Sequence, residues 1–62
     1  MKKTLIEFRD QNTKVESKRL LYGDVSVIIG KTELRYIEHS KDQKTTVINI
    51  TDKLVTVRNW GD

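Results

Sequence analysis

From residue 20 onward, apolar and polar side chains alternate in short runs, each closed by glycine or polar residues. VSVII, TELRYIEH, TTVINI and LVTVRNW all keep the two-residue period of strands that bury one face. Gly30-Lys31 follows the first run, and glycine in the first central position suits a type II′ hairpin because it takes positive φ without strain. That turn predicts Ile29 opposite Thr32, Val27 opposite Leu34 and Val25 opposite Tyr36. Gly23-Asp24, read the same way, sets Tyr22 against Val25 and Leu20 against Val27. A five-residue loop from Ser40 to Lys44 sets Tyr36 against Ile48 and Leu34 against Ile50. Asp52-Lys53 as a last tight turn pairs Ile50 with Val55 and Ile48 with Val57, though it lacks the glycine or asparagine such turns favour.

All four registers place Leu20, Tyr22, Val25, Val27, Ile29, Leu34, Tyr36, Ile48, Ile50, Val55 and Val57 on one face. A slip by one residue in any hairpin would turn its apolar set outward, so the agreement between them is the main structural signal. In the first third, Thr4, Ile6 and Phe8 alternate as a strand does. Residues 14–22 admit two readings: Thr13-Lys14-Val15-Glu16 fits a helix capping box with Gly23 as the stop, but Leu20, Leu21 and Tyr22 are consecutive and make no helical stripe. The strand is the preferred reading. The pattern thus predicts an all-β fold, an antiparallel meander of five or six short strands forming a half-barrel or small barrel, as one domain over residues 1–62.

Size and composition sharpen this picture. A chain of 62 residues hides only about 60% of the surface that its unfolded form exposes, so its core is small and a second copy is an expected source of stability. There is no cysteine and only one histidine, which leaves no disulfide and no zinc or thiol cluster; no metal and no cofactor are expected. The start MKKTLIEFRDQ opens like a secretory signal, but Glu7, Arg9 and Asp10 interrupt the apolar run that a signal needs. No stretch has the length of a membrane span, and a cytoplasmic location is expected. The sequon Asn49-Ile50-Thr51 has no use without a secretion route. Net charge is +3, with signs interspersed rather than blocked, the pattern of a solvated surface.

The stretch YGDVSVIIGKTELRYIEHSKDQKTTVINITDKLVTVRNWG resembles the front half of the YwiB-type family of small bacterial proteins with a calycin-like (lipocalin-like) β-barrel. The residues that carry the resemblance are Leu34-Arg35-Tyr36-Ile37-Glu38, in the place of a family strand that ends in an aromatic and an acidic residue. Thr46 then heads the next strand, and Val55, Val57, Arg58 and Gly61 fall where a further strand runs into a glycine. The resemblance implies a meander that curls toward a barrel. Only its front half is matched, which argues against a closed single-chain barrel with an interior ligand site; pairing of two copies is one way to supply the missing strands.

On the face opposite the apolar one, the same registers align His39, Thr45 and Trp60 in one row. Ile37, Val47 and Arg58 form the next, and Arg35, Asn49 and Thr56 a third. Arg35, His39, Arg58 and Trp60 are therefore the candidate ligand-binding residues, able to stack on and grip a nucleotide, a phosphate or an acidic peptide. The competing reading covers Ile37 and Val47 with a partner chain or the amino-terminal segment and packs Trp60 at the core's edge. Glu38 points away from His39 in a strand, and no serine or cysteine nucleophile is placed against His39, so no catalytic residue is assigned and no enzyme is expected. Lys14, Lys18 and Arg19, with Lys2 and Lys3, form the one local basic excess. The reading is a non-catalytic binding or assembly module, homodimeric, with a protein partner possible. The alternative is a small basic β-barrel that grips single-stranded nucleic acid through Arg35, Arg58 and Trp60.

Overall fold

The computed structural model describes residues 2–61. Its elements are β1 (Lys3–Asp10), β2 (Glu16–Tyr22), β3 (Val25–Ile29), β4 (Glu33–Glu38), β5 (Thr45–Asn49) and β6 (Lys53–Trp60). The fold is all-β and antiparallel, with two three-stranded sheets in the orders β2-β1-β6 and β3-β4-β5. Residues 14–22 yield a strand, not a helix. Thr13 does capture a backbone amide through its hydroxyl, but that of Val15 at 3.3 Å, a local turn that lets the chain reverse from β1 into β2.

Two sheets share one core. In β1, Thr4, Ile6 and Phe8 point inward and are buried, while Lys3, Leu5, Glu7 and Arg9 face out. Leu34 and Tyr36 do the same on β4, joined by Leu21 of β2 and by Ile50 between β5 and β6. Val25, Val27, Ile48, Val55 and Val57 pack around them, half-buried. The side chains closed off completely are Ile6 and Leu34, one from the central strand of each sheet. Buried Thr4 donates its hydroxyl to Asn59 Oδ1 at 2.8 Å within the first sheet, whereas Arg19 Nη1 donates to Tyr36 Oη at 2.9 Å and ties one sheet to the other.

The pairing departs from the local hairpins at each of the four turns. Two of the departures preserve which face is buried. Gly30 does not take positive φ; the turn centres on Lys31-Thr32, with the Gly30 amide donating to the Glu33 carbonyl at 2.7 Å. Val27 then pairs with Tyr36 and Ile29 with Leu34, two residues from the expected register. The next hairpin shifts equally, pairing Leu34 with Ile48 and Tyr36 with Thr46. Its loop is drawn in by the Glu38 carbonyl, which accepts from the Lys41 and Gln43 amides at 3.2 Å each.

The other two turns are corners between sheets rather than hairpins. Gly23, at φ 84°, bends the chain out of β2, so that Tyr22 lies opposite Lys3 and not Val25. Asp52, at φ 59°, sits in a turn closed by the Lys53 amide on the Ile50 carbonyl at 3.0 Å, and leads β6 away to pair with β1. Strand lengths follow the same division. β1, β2 and β6 have 8, 7 and 8 residues, whereas β3, β4 and β5 have 5, 6 and 5. Matching long with long and short with short leaves the fewest backbone groups unpaired. Sequence neighbours still follow one another around the molecule, closed by the β1–β6 ladder and open at the two corners.

This pairing also resets the phase of β2. Leu21, not Leu20 and Tyr22, enters the core, and those two stand 47% and 56% exposed. Ile29 keeps its expected side but lies at the turn end of the sheet and is exposed.

Candidate functional site

The four sequence-derived candidates do not form one surface. Arg35 stands on the outer face of β3-β4-β5, in the cross-strand row Ile28–Arg35–Val47, and its guanidinium reaches Glu33 Oε2 at 3.2 Å. His39 follows β4, its amide donating to the Asp24 carbonyl at 2.9 Å. Arg58 and Trp60 lie on β6, on the outer face of β2-β1-β6. Since the sheets turn their inner faces toward a common core, their outer faces point in opposite directions. The grouping required a β5–β6 ladder that does not form.

Sequence reasoning also missed a contact of His39. Ser26 Oγ lies 2.7 Å from His39 Nε2, because the two-residue shift in the β3–β4 register brings Ser26 beside Ile37, two residues before His39 and on the same side. The Asp24 carboxylate is engaged elsewhere, accepting from Lys2 Nζ at 2.8 Å; that hydrogen bond holds its pKa below, and the lysine's above, their ordinary values. The serine–histidine pair is exposed, and among the described residues no carboxylate orients the imidazole as a nucleophile's base would require. Nor do three potential metal ligands converge among them.

What the fold does gather is a row of aromatics on the outer face of β2-β1-β6. Lys3 pairs with Tyr22 on one side and with Trp60 on the other. Its ammonium lies 5.2 Å from the centre of the indole ring. The next row is Leu20–Leu5–Arg58, and beyond it come Lys18–Glu7–Thr56 and Glu16–Arg9–Leu54. The face therefore grades from an aromatic, cationic end at Lys3 to a charge-balanced end at Arg9. Arg58 lies 4.0 Å from Glu7, a contact between an exposed guanidinium and a half-buried carboxylate.

Strand alternation disperses the basic excess of the sequence. Lys18 faces out on β2, Arg19 turns inward to Tyr36, and Lys14 sits in the β1–β2 loop at φ 64°. Tyr22 could not have been assigned from sequence. Three consecutive apolar residues fit either strand phase, and only the ladder with β1 decides between them.

No family model, curated protein or solved structure matches the chain. Among the described residues no helix is long and apolar enough to cross a membrane.

Proposed function

We propose that the protein is a non-catalytic binding and assembly module that acts in the cytoplasm as a homodimer, formed through the β3-β4-β5 sheet. The observation that carries this reading is the chemistry of the sheet edges. The edge strands of β2-β1-β6 carry charges that discourage pairing with another chain: Glu16, Lys18 and Arg19 on β2, Lys53 and Arg58 on β6. The edges of the other sheet, VSVII and TTVIN, have no charge and no proline. Ile28 and Ile29 on β3 are 63% and 55% exposed, so that edge is not covered from within.

The hydrogen-bond phase supports β3 as the contact. The Asp24 carbonyl accepts from His39, just past β4, and the Gly30 amide donates to Glu33 of β4; with the alternation of an antiparallel ladder this aims the backbone groups of Val25, Val27 and Ile29 away from it. Antiparallel pairing of two β3 strands about a two-fold axis would satisfy those groups and join the sheets of two copies. On the YwiB-type, calycin-like resemblance, strands that follow one another around the molecule would belong to a partly open barrel.

Light scattering after size-exclusion chromatography tests the dimer. The expected mass is twice that of the chain. Ile29→Pro, which deletes one outward amide and leaves the β3–β4 ladder intact, is expected to shift the mass to that of one copy. A monomeric wild-type chain at high concentration sinks the proposal. The alternative, a basic barrel for single-stranded nucleic acid, loses Arg35 from its residue set but gains Tyr22 on the opposite side of the molecule.

A further inference from the structure

Exposed Tyr22 and Trp60 flank Lys3 on three neighbouring strands, which puts their backbones about 9–10 Å apart at the usual inter-strand spacing. Tyr22 and Trp60 are 56% and 41% exposed, and the charge between them is positive: the Lys3 ammonium lies over the indole ring, leaving its other side for a stacking partner. Arg58 stands in the next row and Lys18 in the one beyond it, where Glu7 lies beside Lys18 and 4.0 Å from Arg58; Glu16 lies farther along, so the uncompensated charge is at the Lys3 end. Aromatics that expose a ring face beside cations bind unpaired bases joined by phosphates, since every base has a π-face and every linkage a negative charge. An acidic peptide would use the cations and leave the rings idle; a duplex would keep its bases out of reach of both rings.

We infer that the Lys3 end of the β2-β1-β6 outer face binds single-stranded nucleic acid. Tyr22 and Trp60 each stack a base, and Lys3 meets the phosphate between them. The inference rests on the binding-module reading but uses the sheet opposite to the proposed dimer contact, so Ile29→Pro is expected to change mass and leave this binding in place.

Trp60 is the single tryptophan of the chain and reports directly on stacking. Titration with thymidine and uridine oligomers of about 16 nucleotides, at about 50 mM salt, is expected to quench its fluorescence saturably. Three phosphate contacts, from Lys3, Lys18 and Arg58, give a slope of log affinity against log salt near about −2, and Lys3→Gln is expected to reduce it by about 0.7. Tyr22→Ala, at an exposed position and with its folding checked by circular dichroism, is expected to weaken binding by about 5- to 150-fold, as loss of one base stack does. Comparing the two oligomers identifies DNA or RNA as the better ligand. Absence of saturable quenching with either overturns the inference, as does equal affinity for a duplex or for polyglutamate. Binding that Tyr22→Ala leaves unchanged overturns it too.

Discussion

Gly23 meets two demands that a side chain cannot. Its φ of 84° lies in the left-handed region, and a Cβ there would stand 2.9 Å from Ser40 Oγ, which itself accepts the Asp24 amide at 3.2 Å. Gly23→Ala thus combines backbone strain with loss of the contact that holds the corner, at a cost of about 1–3 kcal/mol. In a domain of this size the melting temperature is expected to drop by at least about 4 °C in calorimetry, and an unchanged value would contradict the corner geometry. Asp10 governs the β1–β2 reversal in a different way. Its Oδ1 accepts the Thr13 and Asn12 amides at 3.0 and 2.9 Å, and these bonds lower its pKa from 3.8. A lowered carboxylate pKa means that the charged form stabilises the fold above pH 3.8 and that this contribution is lost as pH falls below it. Asp10→Asn keeps the acceptor oxygen but not the charge. The gap in melting temperature between wild type and this variant is expected near neutral pH and to close in acid; a gap that persists at pH ~2 would show that the charge is irrelevant.

Elements were legible in the sequence to the extent that a two-residue period determines them. Val25, Val27, Leu34, Tyr36, Ile48, Ile50, Val55 and Val57 all point toward the core, as alternation alone predicts, even though no assumed register formed. The reason is parity: the β3–β4 and β4–β5 ladders are each displaced by two residues, an even step that exchanges partners without exchanging faces. Which strands pair was not legible, because hairpin logic considers only consecutive runs while the β1–β6 ladder joins residues more than forty apart. The candidate site suffered most. Arg35 and His39 on one side, Arg58 and Trp60 on the other, each obeyed its expected alternation, but the sheet boundary at Asp52 divided them. Tyr22 failed for the converse reason, since Leu20-Leu21-Tyr22 has no phase of its own. Edge character, in contrast, could be read once the partners were known. Charges on β2 and β6 and their absence from β3 and β5 distinguish two otherwise similar three-stranded sheets.

At the scale of the molecule, the sheets depend on each other. Each buries only its inner face, and a three-stranded sheet with nothing on that face is marginal in water. Among the described residues, Ile6 and Leu34 are the two side chains wholly removed from solvent, one per sheet, within a single core. Truncating either to alanine costs about 2–5 kcal/mol, while a domain of 62 residues has about 3–9 kcal/mol in total. Leu34→Ala should therefore weaken β2-β1-β6 as much as its own sheet, although it makes no ladder contact there. Amide exchange measures this directly: protection of Leu5 and Glu7 on β1 is expected to fall in step with that of Arg35 and Ile37 on β4. If β1 instead kept its protection while β4 lost it, the sheets would be separate folding units. A face on one sheet and an edge on the other could then no longer be counted as parts of one cooperative module.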